Sequence, residues 1–156
     1  MLSVCFVCSG NICRSPMAEK VYATHLEREG LAEQVRVTSA GTGPWHAGEP
    51  MDHRAAEMLD QHGYPSEHVA HQVNSEHLDA DLLLAATGEH VAALTRVLGV
   101  SDAARQVRLL RSFDPAAAPE AEVPDPYMGE GGFDEVLEMV EATMPGLLAW
   151  TKERLA

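Results

Sequence analysis

The stretch Leu2-Ser3-Val4-Cys5-Phe6-Val7-Cys8-Ser9-Gly10-Asn11-Ile12-Cys13-Arg14-Ser15-Pro16 decides how this chain is read. Its apolar part, Leu2 to Val7, has the length and composition of a buried strand, with Cys5 inside it as a small core residue. The rest is a short loop closed by Ser15-Pro16, a pair suited to opening a helix. A strand that delivers a loop to a helix N-terminus turns backbone N–H groups toward one point, where they attract an anion. Cysteine, five residues, arginine is the spacing from Cys8 to Arg14. A thiol attacks a phosphate ester well only as its thiolate, which such a ring is expected to stabilise. Arg14 adds a planar fork for two phosphate oxygens, which lysine could not match.

The loop residues suit a tight ring. Gly10 fits a position of positive φ, and Asn11 is the side-chain-bearing residue most at home in the left-handed region. Ser15 can donate a hydrogen bond to the sulfur, cap the helix by accepting from its amides, or do both. Ser9, Gly10, Asn11, Ile12, Cys13, Arg14 and Ser15 are therefore the expected phosphate-binding residues.

Further along, Val35–Ser39, Asp81–Ala86 and Val107–Leu110 repeat the pattern of short aliphatic runs with polar or small flanks. Helical periodicity marks Ser15–Arg28, where Met17, Val21 and Leu26 share a face and Gly30 follows. It recurs over Asp52–Gln61, Glu89–Leu98 and Phe133–Arg154. This alternation predicts an α/β fold: a four-stranded parallel sheet with right-handed crossovers and helices on both faces, three layers with the phosphate loop after the first strand. Gly41–Pro50 and the proline-rich Asp114–Gly132 break the pattern as long loops, expected on the same rim as Cys8. With 156 residues, 46% of them hydrophobic, residues 1–156 form one domain.

Lys and Arg total 11 against 24 Asp and Glu, a formal net charge of −13, so the mean surface field repels nucleic acid and acidic membranes. No apolar run approaches the ~20 residues of a membrane span, and no basic residue precedes the apolar start as in a secretory signal. Cys5, Cys8 and Cys13 are no framework for stapling a secreted domain, and neither a second cysteine pair nor a His-x3-5-His partner follows them. The reading is a cytoplasmic protein without metal or cofactor, a monomer or weak dimer, with no nucleic-acid or membrane partner.

The run Val7 to Pro16 resembles the signature of the low-molecular-weight protein tyrosine phosphatases of the bacterial type. Ser39-Ala40-Gly41-Thr42, Trp45-His46, Pro50-Met51-Asp52-His53-Arg54-Ala55 and Asp125-Pro126-Tyr127 follow in the family's order and approximate spacing. The resemblance implies hydrolysis of phosphotyrosine on protein substrates through a phosphocysteine on Cys8. Two Asp-Pro pairs, Asp114-Pro115 and Asp125-Pro126, are equal candidates for the proton donor on residue chemistry alone, since Asp before Pro also makes turns. The resemblance selects Asp125. It also implies that Trp45 and Tyr127 wall the substrate cleft, and that Cys13 serves as a reversible oxidation partner of Cys8. Asn11, Ser15 and Ser39, with Glu19 nearby, correspond to the family's polar network around the loop. Met128 stands where many relatives have a second tyrosine, His71 where they often have Arg, and Thr87 where many show Asp. His68 and His71 follow Gly63 in the pattern His-x-Ala-His-Gln, and the remaining histidines read as surface residues.

Other functions remain open at this point. A thioredoxin-linked arsenate reductase needs two further cysteines near the third strand, and none follows Cys13; a version using an external small thiol does not need them. Protein arginine phosphatases tend to carry Thr where this chain has Ile12, which leans toward an aryl substrate. A phosphopeptide-binding module without catalysis would have no need of Cys8, Arg14 and Asp125 together.

Overall fold

A computed structural model describes residues 1–129 and 131–156. Four strands, β1 (Leu2–Cys8), β2 (Val35–Gly41), β3 (Leu82–Ala85) and β4 (Val107–Leu109), form one sheet in the order β2-β1-β3-β4, and every neighbouring pair is parallel. The helices are α1 (Arg14–Arg28), α2 (His53–Gln61), α3 (Ser75–Leu78), α4 (Gly88–Leu98), α5 (Val100–Gln106) and α6 (Phe133–Leu155). The expected α/β sheet and its four strands are present.

Strand β1 organises the interior because both of its faces are covered. Side chains alternate along a strand. Val4, Phe6 and Cys8 accordingly join the cluster built with α1, α2 and α6, while Cys5 and Val7 join Leu94, Ala103 and Val107 on the α4–α5 side. That alternation is the three-layer architecture in miniature, and Cys5 is a core residue as expected. The expected face of α1, Met17, Val21 and Leu26, is buried in the larger cluster together with Tyr22, whose hydroxyl pairs with Thr151 Oγ1 of α6 at 2.6 Å.

Two short helices escaped the sequence reading. Helix α3 has only 4 residues and is set by Asn74, whose side chain accepts from the Glu76 and His77 amides. Helix α5 has 7 residues and buries only Ala103, too little for a period of 3.6 to show. The sheet order makes β1 the switch point, since the chain leaves it on one side toward β2 and returns on the other to β3. Ligands of open parallel sheets bind beyond the carboxyl ends of strands at such a point. Cys8 is the last residue of β1.

Helix α6 crosses so close to the turn Leu110–Phe113 that a Cβ at Gly146 would collide with the Phe113 carbonyl oxygen. Helix propensity alone favours Ala over Gly by up to about 1 kcal/mol, but a clash with backbone costs about 1–3 kcal/mol and wins. Gly146→Ala should therefore lower Tm by about 3–10 °C in a calorimetric scan; a rise in Tm would contradict this packing.

Candidate active site

Residues 8–15 wrap into a ring at the carboxyl end of β1. Helix α1 begins at Arg14, and its N-cap, Cys13, makes no side-chain cap hydrogen bond, so no capping side chain takes up the first-turn amides. Cys8, Ser9, Gly10, Ile12, Cys13 and Arg14 line one pocket with Trp45, His46, Asp125 and Tyr127. The structure thus brings most of the sequence-predicted loop, both expected wall aromatics and Asp125 to a single place, while Asn11 and Ser15, also expected among the phosphate-binding residues, do not line the pocket. Asp114, of the other Asp-Pro pair, lies outside the pocket and accepts from the Ala116 amide at 2.9 Å in a local turn.

Asn11 holds the ring's shape. It is fully buried with φ 59°, the left-handed conformation expected of it. Its amide donates to Ser15 Oγ at 2.8 Å and Ser39 Oγ at 2.9 Å, and its Oδ1 accepts from the His71 amide at 2.9 Å. Ser39 in turn donates to Glu19 Oε1, and His68 Nε2 lies 2.8 Å from the Asn11 carbonyl. Because Asn11 donates to Ser15, the Ser15 hydroxyl keeps its own proton for Cys8 Sγ, 2.9 Å away. Ser15 therefore serves the sulfur and does not cap the helix. Gly10 also departs from expectation: it is not among the glycines of positive φ. Its lack of a side chain is needed instead because a Cβ there would stand 2.8 Å from His46 Cδ2.

Arg14 is buried and anchored from far along the chain. Its Nη1 donates to the Val123 carbonyl at 3.0 Å, its Nη2 to Ser9 Oγ at 3.4 Å, and Asp125 Oδ2 lies 3.8 Å from Nη2. Val123 is itself fixed to the end of β3 by its amide on the Ala86 carbonyl at 2.9 Å. The loop bearing Asp125 is tied down a second time by Arg54. That guanidinium grips Asp52, donates to the carbonyls of Gly129 at 2.8 Å and Tyr127 at 2.9 Å, and lies 4.7 Å from the centre of the Phe133 ring. Asp125 Oδ1 accepts from the Tyr127 amide at 3.0 Å, and its carboxylate is half-exposed. Trp45 lies over Gly43 with 67% of its surface exposed, so it is no buried loop anchor; the Tyr127 ring packs against His46 tilted at 58°, 5.6 Å between ring centres.

The family model for low molecular weight phosphotyrosine protein phosphatases matches residues 3–156. The chain belongs to this family. Low molecular weight protein-tyrosine phosphatase A of Mycobacterium tuberculosis is 57% identical over 157 residues, covering 99% of this chain and 94% of that one. Among solved structures, a protein tyrosine phosphatase of Entamoeba histolytica with Hepes in its active site superposes with a TM-score of 0.91 at 28% identity, each chain fully covered. The YwlE arginine phosphatase, in a Cys-to-Ser mutant with a phosphorylated active-site serine, superposes with a TM-score of 0.85 at 29% identity, covering 97% of this chain and 96% of that one. Among the described residues, no helix is long and apolar enough to cross a membrane, and no cluster of His, Cys, Asp or Glu is arranged to hold a metal ion.

Sequence reasoning missed three participants. His46 joins the pocket wall, for which only its place beside Trp45 gave a hint. Arg54 reaches the Asp125 loop across 73 residues, a contact that no local pattern encodes. His90, expected at the surface, is 96% buried: 4% of it is exposed. Its only sequence signal was Thr87 three residues before it, the spacing of a capping box, in which Thr87 accepts from the His90 amide. Burial, seconded by the positive charge of Arg14, pushes the His90 pKa down to about 4, with Asp125 and Glu122 opposing.

A histidine held neutral in the folded state adds stability above its unfolded pKa of 6.5 and loses it as the pH falls toward about 4. Between pH 7 and pH 4.5, denaturant titrations should show His90→Gln losing less stability than the parent, by on the order of 2 kcal/mol. Equal losses in the two proteins would contradict a neutral, buried imidazole.

Proposed function

We propose that the protein hydrolyses phosphotyrosine in protein substrates, with Cys8 as nucleophile, Arg14 as phosphate fork and Asp125 as general acid and base. The observation that carries this reading is the convergence of a thiol, a guanidinium and a half-exposed carboxylate in one pocket whose mouth is flanked by Trp45 and Tyr127. Those rings suit a flat aryl group, and Ile12 presents an apolar side chain where an aryl ester needs no polar partner.

In the first step the Cys8 sulfur attacks phosphorus and the bond to the leaving oxygen breaks, while Asp125 gives that oxygen its proton. The backbone ring and Arg14 hold the three equatorial oxygens, matching the charge that builds there. In the second step the Asp125 carboxylate takes a proton from water, the water oxygen attacks the phosphocysteine, and inorganic phosphate leaves with the sulfur regenerated. The phosphorylated serine reported for the YwlE mutant is an analogue of such an intermediate in that protein and supports the same course here. That relative also keeps arginine phosphatase activity as the second reading, against which Ile12 and the aromatic walls speak. Residues 1–156 act as one domain, a monomer or weak dimer working in the reducing cytoplasm with no cofactor.

Cys8 and Cys13 are free thiols lining the same pocket. We infer redox control: peroxide oxidises the Cys8 sulfur to a sulfenic acid, and Cys13 displaces its oxygen as water to form a disulfide. Burial, seconded by Asp52, pushes the Cys13 thiol up to about 12. The resolving thiol is therefore protonated at rest and does not compete with Cys8 for substrate.

A rate comparison on phosphotyrosine, phosphoarginine, phosphoserine and arsenate tests the substrate class; phosphotyrosine should lead, and phosphoarginine leading would overturn it. Cys8→Ser should abolish turnover with the fold intact. Asp125→Ala should slow poor aryl leaving groups by about 10²–10⁴-fold and good ones far less. Loss without leaving-group dependence would remove Asp125 from proton transfer. After mild peroxide, a thiol reductant should restore the parent protein but not Cys13→Ala, and equal recovery would end the redox role of Cys13.

A further inference from the structure

His90 is the one fully buried histidine among the described residues, and both of its ring nitrogens are engaged. The Thr87 backbone N–H can only donate, and it lies 3.2 Å from His90 Nδ1. Nδ1 therefore accepts, and the ring proton sits on Nε2. Nε2 is 2.9 Å from Ser9 Oγ, which takes that proton as an acceptor. The same oxygen accepts from Arg14 Nη2 at 3.4 Å. Ser9 immediately follows Cys8 in the ring, so the imidazole at the start of α4 reaches the guanidinium through one hydroxyl.

The consequence for Arg14 is geometric. A guanidinium has five N–H donors in one plane. Val123 fixes one edge from the side of the Asp125 loop, and Ser9 fixes another from the side of α4. Two points of support in a plane set the direction of the donors left for a phosphate group. Without His90, the Ser9 hydroxyl could rotate, and Arg14 would keep only the Val123 carbonyl and the distant Asp125 carboxylate.

We propose that His90 is a positioning residue for the phosphate fork: the Thr87 amide sets its tautomer, and through Ser9 it aims Arg14 at the phosphate group. The depressed basicity already described keeps the ring neutral at working pH, as this donor and acceptor arrangement requires. The inference rests on the phosphatase reading for its kinetic consequence. Its effect on phosphate affinity does not depend on turnover.

Two variants divide the imidazole into its nitrogens. In His90→Asn the side-chain oxygen can replace Nδ1 and accept from Thr87, but the side chain is too short to reach Ser9. In His90→Gln the amide nitrogen can replace Nε2 and reach Ser9, without the acceptor for Thr87. Inorganic phosphate affinity by calorimetry and kcat/KM on an aryl phosphate are read for both, with His90→Ala, Ser9→Ala and the double variant.

The expected result is that Gln stays within about threefold of the parent while Asn and Ala lose about tenfold in both measures, the worth of one well-placed hydrogen bond. The double variant should lose no more than Ser9→Ala alone. If the role is only to cap α4, Asn is the variant that recovers; that ranking, Asn and Gln behaving alike, or independent losses at Ser9 and His90 would overturn the proposal. Should the His90 variants unfold in thermal melts, Ser9→Ala decides, and unchanged phosphate affinity in it overturns the proposal. A parent protein that binds phosphate and hydrolyses no ester would fail the phosphatase reading, while the affinity ranking would still judge this one.

Discussion

Asn11 is the residue on which the site's geometry depends. A left-handed residue in a buried ring is costly unless its surroundings fix it. Here both amide protons, the side-chain oxygen and the backbone carbonyl of Asn11 are all engaged, by Ser15, Ser39, His71 and His68. The ring is thereby tied to α1, to β2 and to the segment that follows Tyr64. Because the same network orients the Ser15 hydroxyl at Cys8, the shape of the loop and the chemistry of its sulfur have one origin.

Electrostatics explains why the network must be so local. The chain carries a formal net charge of −13, so nothing in its overall field favours a phosphorylated substrate. In the proposed function, attraction falls to backbone dipoles at the start of α1 and to Arg14, both acting at contact distance within the pocket. Arg54, the other guanidinium close by, is taken up by Asp52 and by the carbonyls of the Asp125 loop. Arg14 faces the pocket, while Arg54 braces the loop beside it.

The sequence made local features legible. Leu2–Val7 and the Met17, Val21, Leu26 face announce a strand and a helix because each reports its own burial period, and Cys8 and Arg14 lie within one loop where spacing carries meaning. Asp125 needed the family resemblance, since Asp114 offers the same dipeptide and only the tertiary fold separates them. Gly10 was read for backbone freedom, whereas what it provides is room for His46, a contact between distant segments. His90 was hidden for a similar reason. A histidine in a helical segment reads as polar surface until the helix is docked, and its place against Ser9 spans 81 residues. Helices α3 and α5, at 4 and 7 residues, make at most about two turns, too few for a period of 3.6 residues to stand out in the sequence.

The order β2-β1-β3-β4 also sets when the protein becomes capable of anything. The strand at the sheet's switch point is the first made, yet both of its partners emerge later, and the carbonyl that seats Arg14 lies 109 residues after it. Such long-range pairing folds late and as a unit. During synthesis the cysteine loop emerges before β2, β3 and the Val123 carbonyl that surround it in the fold. The partners of Arg14, Val123 and Asp125, arrive only when the second half of the chain has left the ribosome, so nascent or truncated chains carry the signature of the site without its assembled pocket.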